Sequence, residues 1–468
     1  MHGATPSGAR NYRAYTKRNI DHLPQLEKLD PDERLSMKAV AQVLPFRVNP
    51  YVLTELIDWD RAPEDPIYQL SFPQPGMLEP DDLARMRDLL ARESPETEID
   101  AAAHRIRVRL NPHPAGQMEY NVPHLEGVPL PGMQHKYRET VLFFPSQGQT
   151  CHAYCTYCFR WAQFTGMEEL KFAHRETTML VRYLKEHPEV TDVLFTGGDP
   201  LIMSAAVLRR YVAALLDPEL AHVTNIRIGT KAISWWPNRF LDDPGADDTL
   251  RLFEEVVRSG RHLAFMAHVT HPRELATEAA REATRRILAT GAVIRAQAPI
   301  VRHVNDRASV WAEMWREEVR LGMVPYYMFI ARNTGAKRYF EVPLARAHEI
   351  FGRAFRQVSG LARTVRGPSM SALPGKVLIS GVARIGEEQA FVLKFLQSRE
   401  PSWVGRPFFA RYDPEAAWLT DLEPAFGARK FFYRDALDEI LAARRAPAWH
   451  EPLRSRSPRA EFGSVEWE

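Results

Sequence analysis

Cys151, Cys155 and Cys158 are the only cysteines in this 468-residue chain, and all three fall within the stretch C-H-A-Y-C-T-Y-C. A cluster of four irons takes four thiolate ligands. A CxxxCxxC loop without a fourth cysteine therefore leaves one iron open to a substrate or cofactor. Other uses of cysteine fit these residues less well. Thiols that serve as small apolar core residues have no reason to cluster. A disulfide framework calls for an even count in a small, cysteine-dense chain. A structural zinc needs a fourth ligand, and His152, inside the CxxxC loop, is awkwardly placed to be one.

Such a loop needs a scaffold, and the hydrophobic pattern supplies one. From about Arg138 to Val358, apolar strands alternate with amphipathic helices. The strands are expected at Thr140 to Phe144, Asp192 to Thr196, Asn225 to Thr230, Leu263 to His268, Val293 to Pro299 and Val324 to Ile330. Helices are expected at Glu176 to Lys185, Ala205 to Leu216, Asp248 to Ser259, Glu274 to Thr290, Ser309 to Leu321 and Leu344 to Val358. Six βα units in series predict a parallel sheet with right-handed crossovers. Ligands bind such sheets beyond the carboxyl ends of the strands. There the cysteine loop follows the first strand, G-G-D-P-L (Gly197 to Leu201) the second and T-K-A-I-S-W-W the third. His268 and His271 close the fourth strand, Gln297 the fifth and A-R-N-T-G (Ala331 to Gly335) the sixth.

The expected organisation is a mostly helical accessory region over 1–134, with helices at Asp32 to Val43 and Pro80 to Arg92 and no visible chemistry of its own. A partial (β/α)6 barrel over 135–375 and a C-terminal extension over 376–468 follow. The basic end, R-R-A-P-A-W-H-E-P-L-R-S-R-S, reads as a solvated tail. Lysine and arginine total 61 against 59 acidic residues, which leaves no electrostatic footprint for nucleic acid. No apolar run of 18 or more residues offers a membrane span, and no secretory signal is visible. Reduced thiols point to the cytoplasm.

C-H-A-Y-C-T-Y-C-F-R followed by a strand and T-G-G-D-P resembles the radical S-adenosylmethionine superfamily, and more closely its lysine 2,3-aminomutase branch. The closer resemblance covers roughly residues 130–380 and includes I-R-I-G-T-K, H-P-R-E, V-N-D, P-Y-Y and P-G-K. It implies a [4Fe-4S] cluster on Cys151, Cys155 and Cys158, with S-adenosylmethionine on the open iron and along Gly197, Gly198 and Asp199. A 5'-deoxyadenosyl radical would take hydrogen from the substrate β-carbon, and the α-amino group would then migrate. The resemblance also implies pyridoxal phosphate held as a Schiff base by Lys376. Two arginines at the start of the first strand grip its phosphate in the family. Lys136 falls on the first, Thr140 on the second, and Arg138 is a nearby substitute. Arg160 corresponds to the arginine that binds the substrate α-carboxylate. His268, His271, Gln297 and Tyr327 are expected along the wall. Small-molecule amino acid substrates, an electron donor such as flavodoxin or ferredoxin, and self-association are implied as well.

Lysine-specific members hold the distal ammonium with two aspartates. Ungapped alignment of P-Y-Y-M-F-I-A-R-N and V-R-G-P-S-M-S-A-L-P-G-K puts Arg332 and Ser369 at those positions. Two like charges about 4 Å apart repel by about 4 kcal/mol at an effective dielectric of 20. An arginine there rejects lysine and attracts a side-chain carboxylate, so glutamate is the favoured substrate. The bland alternative turns Arg332 outward or pairs it with Glu341 or Asp306. Two rival functions stay open from the residues: a radical enzyme without pyridoxal phosphate, acting on another amino acid or a protein-bound residue, and a non-catalytic iron-sulfur protein.

Overall fold

A computed structural model describes residues 12–167, 172–174 and 177–444. Glu176, expected to open a helix, and the basic tail from Arg445 onward lie outside the described residues. The protein is α/β, built on one eleven-stranded sheet whose order follows the chain. Its strands are β1 (Met133–Tyr137), β2 (Thr140–Phe143), β3 (Asp192–Phe195), β4 (Asn225–Thr230), β5 (His262–His268), β6 (Val293–Ile300), β7 (Val324–Ile330), β8 (Arg366–Ser371), β9 (Gly375–Ile385), β10 (Glu388–Ser398) and β11 (Pro407–Arg411). From β2 to β8 every neighbouring pair is parallel. β1 joins β2 antiparallel, and β8 to β11 continue antiparallel.

The six expected strands appear within a residue or two of their positions. Helices fill the crossovers at Thr178–Glu186, Ala205–Ala213, Ala246–Arg258, Glu278–Ala289, Ala308–Arg320 and Leu344–Phe355. Their starts are set locally: the Ser204 hydroxyl accepts from Val207 N and the Thr277 hydroxyl from Ala280 N, which satisfies donors that the first helical turn leaves open. Side chains on a strand alternate between faces. On β4, Ile226, Ile228 and Thr230 are buried, whereas Arg227 and Gly229 are only partly so and face a cavity.

β8 is a seventh parallel strand that the sequence pattern conceals. R-G-P-S-M-S reads as a loop because proline removes a ladder donor. Pro368 falls where the pairing with β7 slips, between Tyr327↔Arg366 and Phe329↔Ser369, and an irregular step of this kind tolerates proline. The boundary drawn at Lys376 falls inside β9, which continues the sheet as a hairpin with β10, turning at Gly386. The hairpin approaches the other edge of the sheet: β10 touches β1, and Lys136 Nζ on β1 donates to the Ala372 carbonyl.

The N-terminal layer contains helices Pro31–Val43, Pro80–Ala91 and Glu96–Arg109. The Asp30 carboxylate caps the first by accepting from Asp32 N and Glu33 N. Their apolar faces form a core that also takes in Ala153, Trp161 and Ala162 from around the cysteine loop.

Candidate active site

The cysteine loop leaves the end of β2 and is held by backbone and side chains from the N-terminal layer. Arg47 Nη1 donates to Cys151 O at 3.2 Å, Tyr154 N to Arg47 O at 2.9 Å, and Thr156 N to Leu70 O at 2.9 Å. Asn49 is fully buried; its Nδ2 donates to His152 O and Trp235 O, and its Oδ1 accepts from Val52 N. The layer expected to carry no chemistry thus fixes the shape of the metal loop. Polar groups that a loop cannot satisfy itself must find partners elsewhere, and this loop finds them in the N-terminal layer.

All three thiols are free and face one cavity of about 600 Å3. Burial pushes the Cys155 thiol up to about 12 and raises Cys151 and Cys158 as well. Iron binding would displace those protons. The Arg47, Arg160 and Lys231 cations lie near the three thiols and would offset the negative charge of a cluster held there.

The glycine pair has a geometric reason. A Cβ on Gly198 would lie 2.3 Å from the Thr150 carbonyl oxygen, and one on Gly197, whose φ is +134°, would strike the Gln149 side chain. The turn after β3 therefore packs directly on the cysteine loop, joined by Asp199 N donating to Thr150 O at 2.7 Å. Asp199 lines the same cavity. Its buried carboxylate accepts from Thr230 Oγ1, Lys231 N and Leu201 N. It ties β3 to the end of β4.

Seven cations line the cavity, Lys136, Arg160, Arg227, Lys231, Arg332, Arg366 and Lys376, against the two carboxylates Asp192 and Asp199. Arg227 Nε bonds Asp192 at 2.6 Å and Lys231 pairs with Glu274. Among the described residues the other five have no carboxylate partner. The neighbours each cation feels order the cavity. Arg160 senses Arg332, Cys158 and Cys151; Lys376 senses Arg227, Arg366 and Arg332. Arg332 thus acts on both Arg160, near the metal loop, and Lys376.

Arg160 is 7% exposed, and its Nη1 has no hydrogen-bond partner. Burial lowers it to about 9 and Arg332 to about 10, so both stay charged at neutral pH. Their guanidinium carbons lie 4.9 and 4.3 Å from the centre of the Phe159 ring. Glu341 pairs with Lys337 instead, so Arg332 is not neutralised there. Lys376 Nζ stands 4.1 Å over the Tyr327 ring, and burial, followed by Arg227 and Arg366, pulls it down to about 7. A lysine so depressed is partly neutral near pH 7 and able to act as a nucleophile. His268, held near 4 by burial and Lys231, is neutral and bonds the Gln297 amide at 3.2 Å.

Three positions differ from expectation. Arg138 is exposed in the β1–β2 turn and does not line the cavity; the alternation that turns Thr140 inward leaves the two-residue turn outside. Ser369 is fully buried beside Met328 O. Ser371, directly opposite Lys376 in the hairpin, takes the cavity position, because the tight turn makes an ungapped count overshoot. His271 does not line the cavity either; its Nδ1 accepts from Arg273 N at the start of the 3-10 turn Pro272–Leu275. Arg227 and Arg366 were missed, since an arginine on a strand carries no signal of which wall it will join.

Three cysteine thiols on one loop and a partly neutral lysine thus share one cavity. No family model matches the chain. A protein of Aquifex aeolicus named "Putative L-lysine 2,3-aminomutase" is 31% identical over 403 residues, spanning 86% of this chain and 94% of that protein. The L-lysine 2,3-aminomutase of Bacillus subtilis is 24% identical over 348 residues, 74% of this chain and 63% of that one. Among solved structures, Streptococcus suis SuiB bound to its precursor peptide SuiA covers 58% of this chain and 56% of its own at 11% identity and a TM-score of 0.34, too low to support any argument. The chain belongs to the lysine 2,3-aminomutase family of radical S-adenosylmethionine enzymes. It is an isomerase, a radical aminomutase, and the family's cofactors are a [4Fe-4S] cluster, S-adenosylmethionine and pyridoxal phosphate. Such enzymes act on small molecules and draw an electron from a donor. The non-catalytic alternative falls away.

Proposed function

We propose that this aminomutase moves the α-amino group of a dicarboxylic amino acid, glutamate foremost, to the β-carbon. The observation that carries the reading is the pair of guanidiniums, the buried Arg160 and the half-buried Arg332, over Phe159 with no carboxylate partner among the described residues. Buried charges are paired in working proteins, and a guest with two carboxylates completes this pair. A lysine substrate, the one named for the relatives, would bring a third cation to it. At about 4 Å and an effective dielectric of 20, that repulsion is about 4 kcal/mol.

The residues divide the work along the cavity. Cys151, Cys155 and Cys158 hold the cluster, and the Gly197–Gly198 edge borders the place of S-adenosylmethionine. Arg160 takes the α-carboxylate through two parallel hydrogen bonds, and Arg332 takes the side-chain carboxylate. Lys376 attaches pyridoxal phosphate covalently. When bound, these groups supply a carbon-centred radical and a conjugated system through which nitrogen can cross. His268 and Gln297, bonded to each other, form a neutral wall, and Tyr327 floors the lysine. The approach of β1 to the β8–β9 hairpin supports a sheet rolled into a partial barrel around this cavity. Flavodoxin or ferredoxin suits the electron donor, and reduced thiols suit the cytoplasm.

The test is anaerobic reconstitution, reduction with dithionite, and incubation with glutamate, aspartate, glutamine and lysine, following β-amino isomers by NMR. Turnover of glutamate well above lysine supports the assignment. Lysine as the preferred substrate overturns it.

A further inference from the structure

We propose that Arg366 supplies the phosphate-anchoring charge missing at Thr140, seating the phosphate of pyridoxal phosphate with Lys136 and Arg227 at the Lys376 end of the cavity. The inference rests on the pyridoxal reading above and adds a binding residue drawn from another strand. Thr140 still lines the cavity, so the place is kept while the charge is gone. Arg366 opens β8, six strands away in sheet order but on the same cavity.

The geometry gathers around Tyr327. The Arg366 guanidinium carbon lies 4.3 and 4.4 Å from the centres of the Tyr326 and Tyr327 rings, and Lys376 Nζ lies 4.1 Å from the latter. Arg366 and Lys376 therefore share one ring, and their separation cannot exceed the sum of those two distances. Arg366 is exposed, lines the cavity, and has no carboxylate or hydrogen-bond partner among the described residues. Arg227 spends its Nε on Asp192. Lys136 donates to Ala372 O, which leaves further N–H donors. Like charges gathered on one aromatic surface repel unless an anion joins them. A phosphate offers three acceptor oxygens, and guanidinium groups match it with paired donors. The tyrosines hold Arg366 in place without neutralising it, which suits a side chain that must grip an anion.

The test uses the full-length, cluster-reconstituted protein and measures dissociation constants for pyridoxal phosphate and for pyridoxal, which lacks the phosphate, by absorbance titration. Arg366→Ala should weaken pyridoxal phosphate about 10- to 100-fold, the effect of losing hydrogen bonds to a charged group, and leave pyridoxal within twofold. Adding Thr140→Arg to that variant should recover most of the loss. Arg366→Gln, checked by thermal melting, guards against a folding artefact. The proposal is overturned if Arg366→Ala leaves both ligands unchanged or weakens them equally. A wild-type protein that binds neither ligand would instead refute the pyridoxal reading itself.

Discussion

Removing the Arg332 charge should erase the enzyme's preference for glutamate over glutamine. The two amino acids have nearly the same shape and differ by one negative charge. Arg332 is charged at neutral pH, lies against Phe159, and has no carboxylate partner among the described residues. A hydrogen bond between charged groups contributes about 1.5–3 kcal/mol by truncation, or roughly 10- to 150-fold. Arg332→Gln should therefore lower kcat/KM for glutamate by that factor, leave glutamine within about threefold, and bring their ratio near one. Arg332→Asp should go further and admit lysine, because the repulsion of about 4 kcal/mol becomes an attraction. The assay is NMR quantification of β-amino products from dithionite-reduced protein under argon. Parallel loss on glutamate and glutamine would show that Arg332 supports the cavity without reading the side chain, and the reasoning would fail.

Three further outcomes are expected. Lys376 is depressed from 10.5 to about 7, so between those values the native state binds fewer protons than the unfolded chain and stability rises with pH; denaturant unfolding from pH 7 to 9.5 should show a shallower rise for Lys376→Met. Gly198→Ala forces a methyl into the Thr150 backbone, and overpacking of this kind costs about 1–3 kcal/mol; iron and sulfide analysis should find fewer loaded clusters. Asn49→Ala strips three hydrogen bonds from buried groups and should cost about 2–4 kcal/mol, with faster loss of iron to a chelator at unchanged initial loading.

Residue type and spacing carried much of this site. The cysteine loop, the glycine turn and Lys376 were legible because each demands a particular side chain or its absence. The six strands were legible because their buried apolar residues, such as Ile226 and Ile228 on β4 and Val193 and Phe195 on β3, recur at every second position between the helices. Arg332 was legible by counting from P-Y-Y, since a regular parallel strand keeps register. The same counting failed for Ser369, where a tight hairpin shortens the path and Ser371 moves into the cavity. β8 stayed hidden because its proline sits at a slip in the pairing. Part of the hold of the N-terminal layer was invisible for a different reason: beside the Arg47 and Asn49 side chains, the carbonyls of Arg47, Gln69 and Leu70 act there, and every residue possesses a carbonyl. The role of Asp199 within the fold was not legible, because its carboxylate accepts from Thr230 Oγ1, Lys231 N and Leu201 N, donors that chain neighbours do not reveal.

The surplus of positive charge along the cavity ties folding to occupancy. Among the described residues the Arg160, Arg332 and Arg366 guanidiniums have no carboxylate partner, and a fold held against its own field gains stability from any anion that enters. Melting temperature should therefore climb with bound carboxylates and phosphates. Buffers of phosphate or sulfate would compete for the same positions, making chloride the medium in which true affinities emerge.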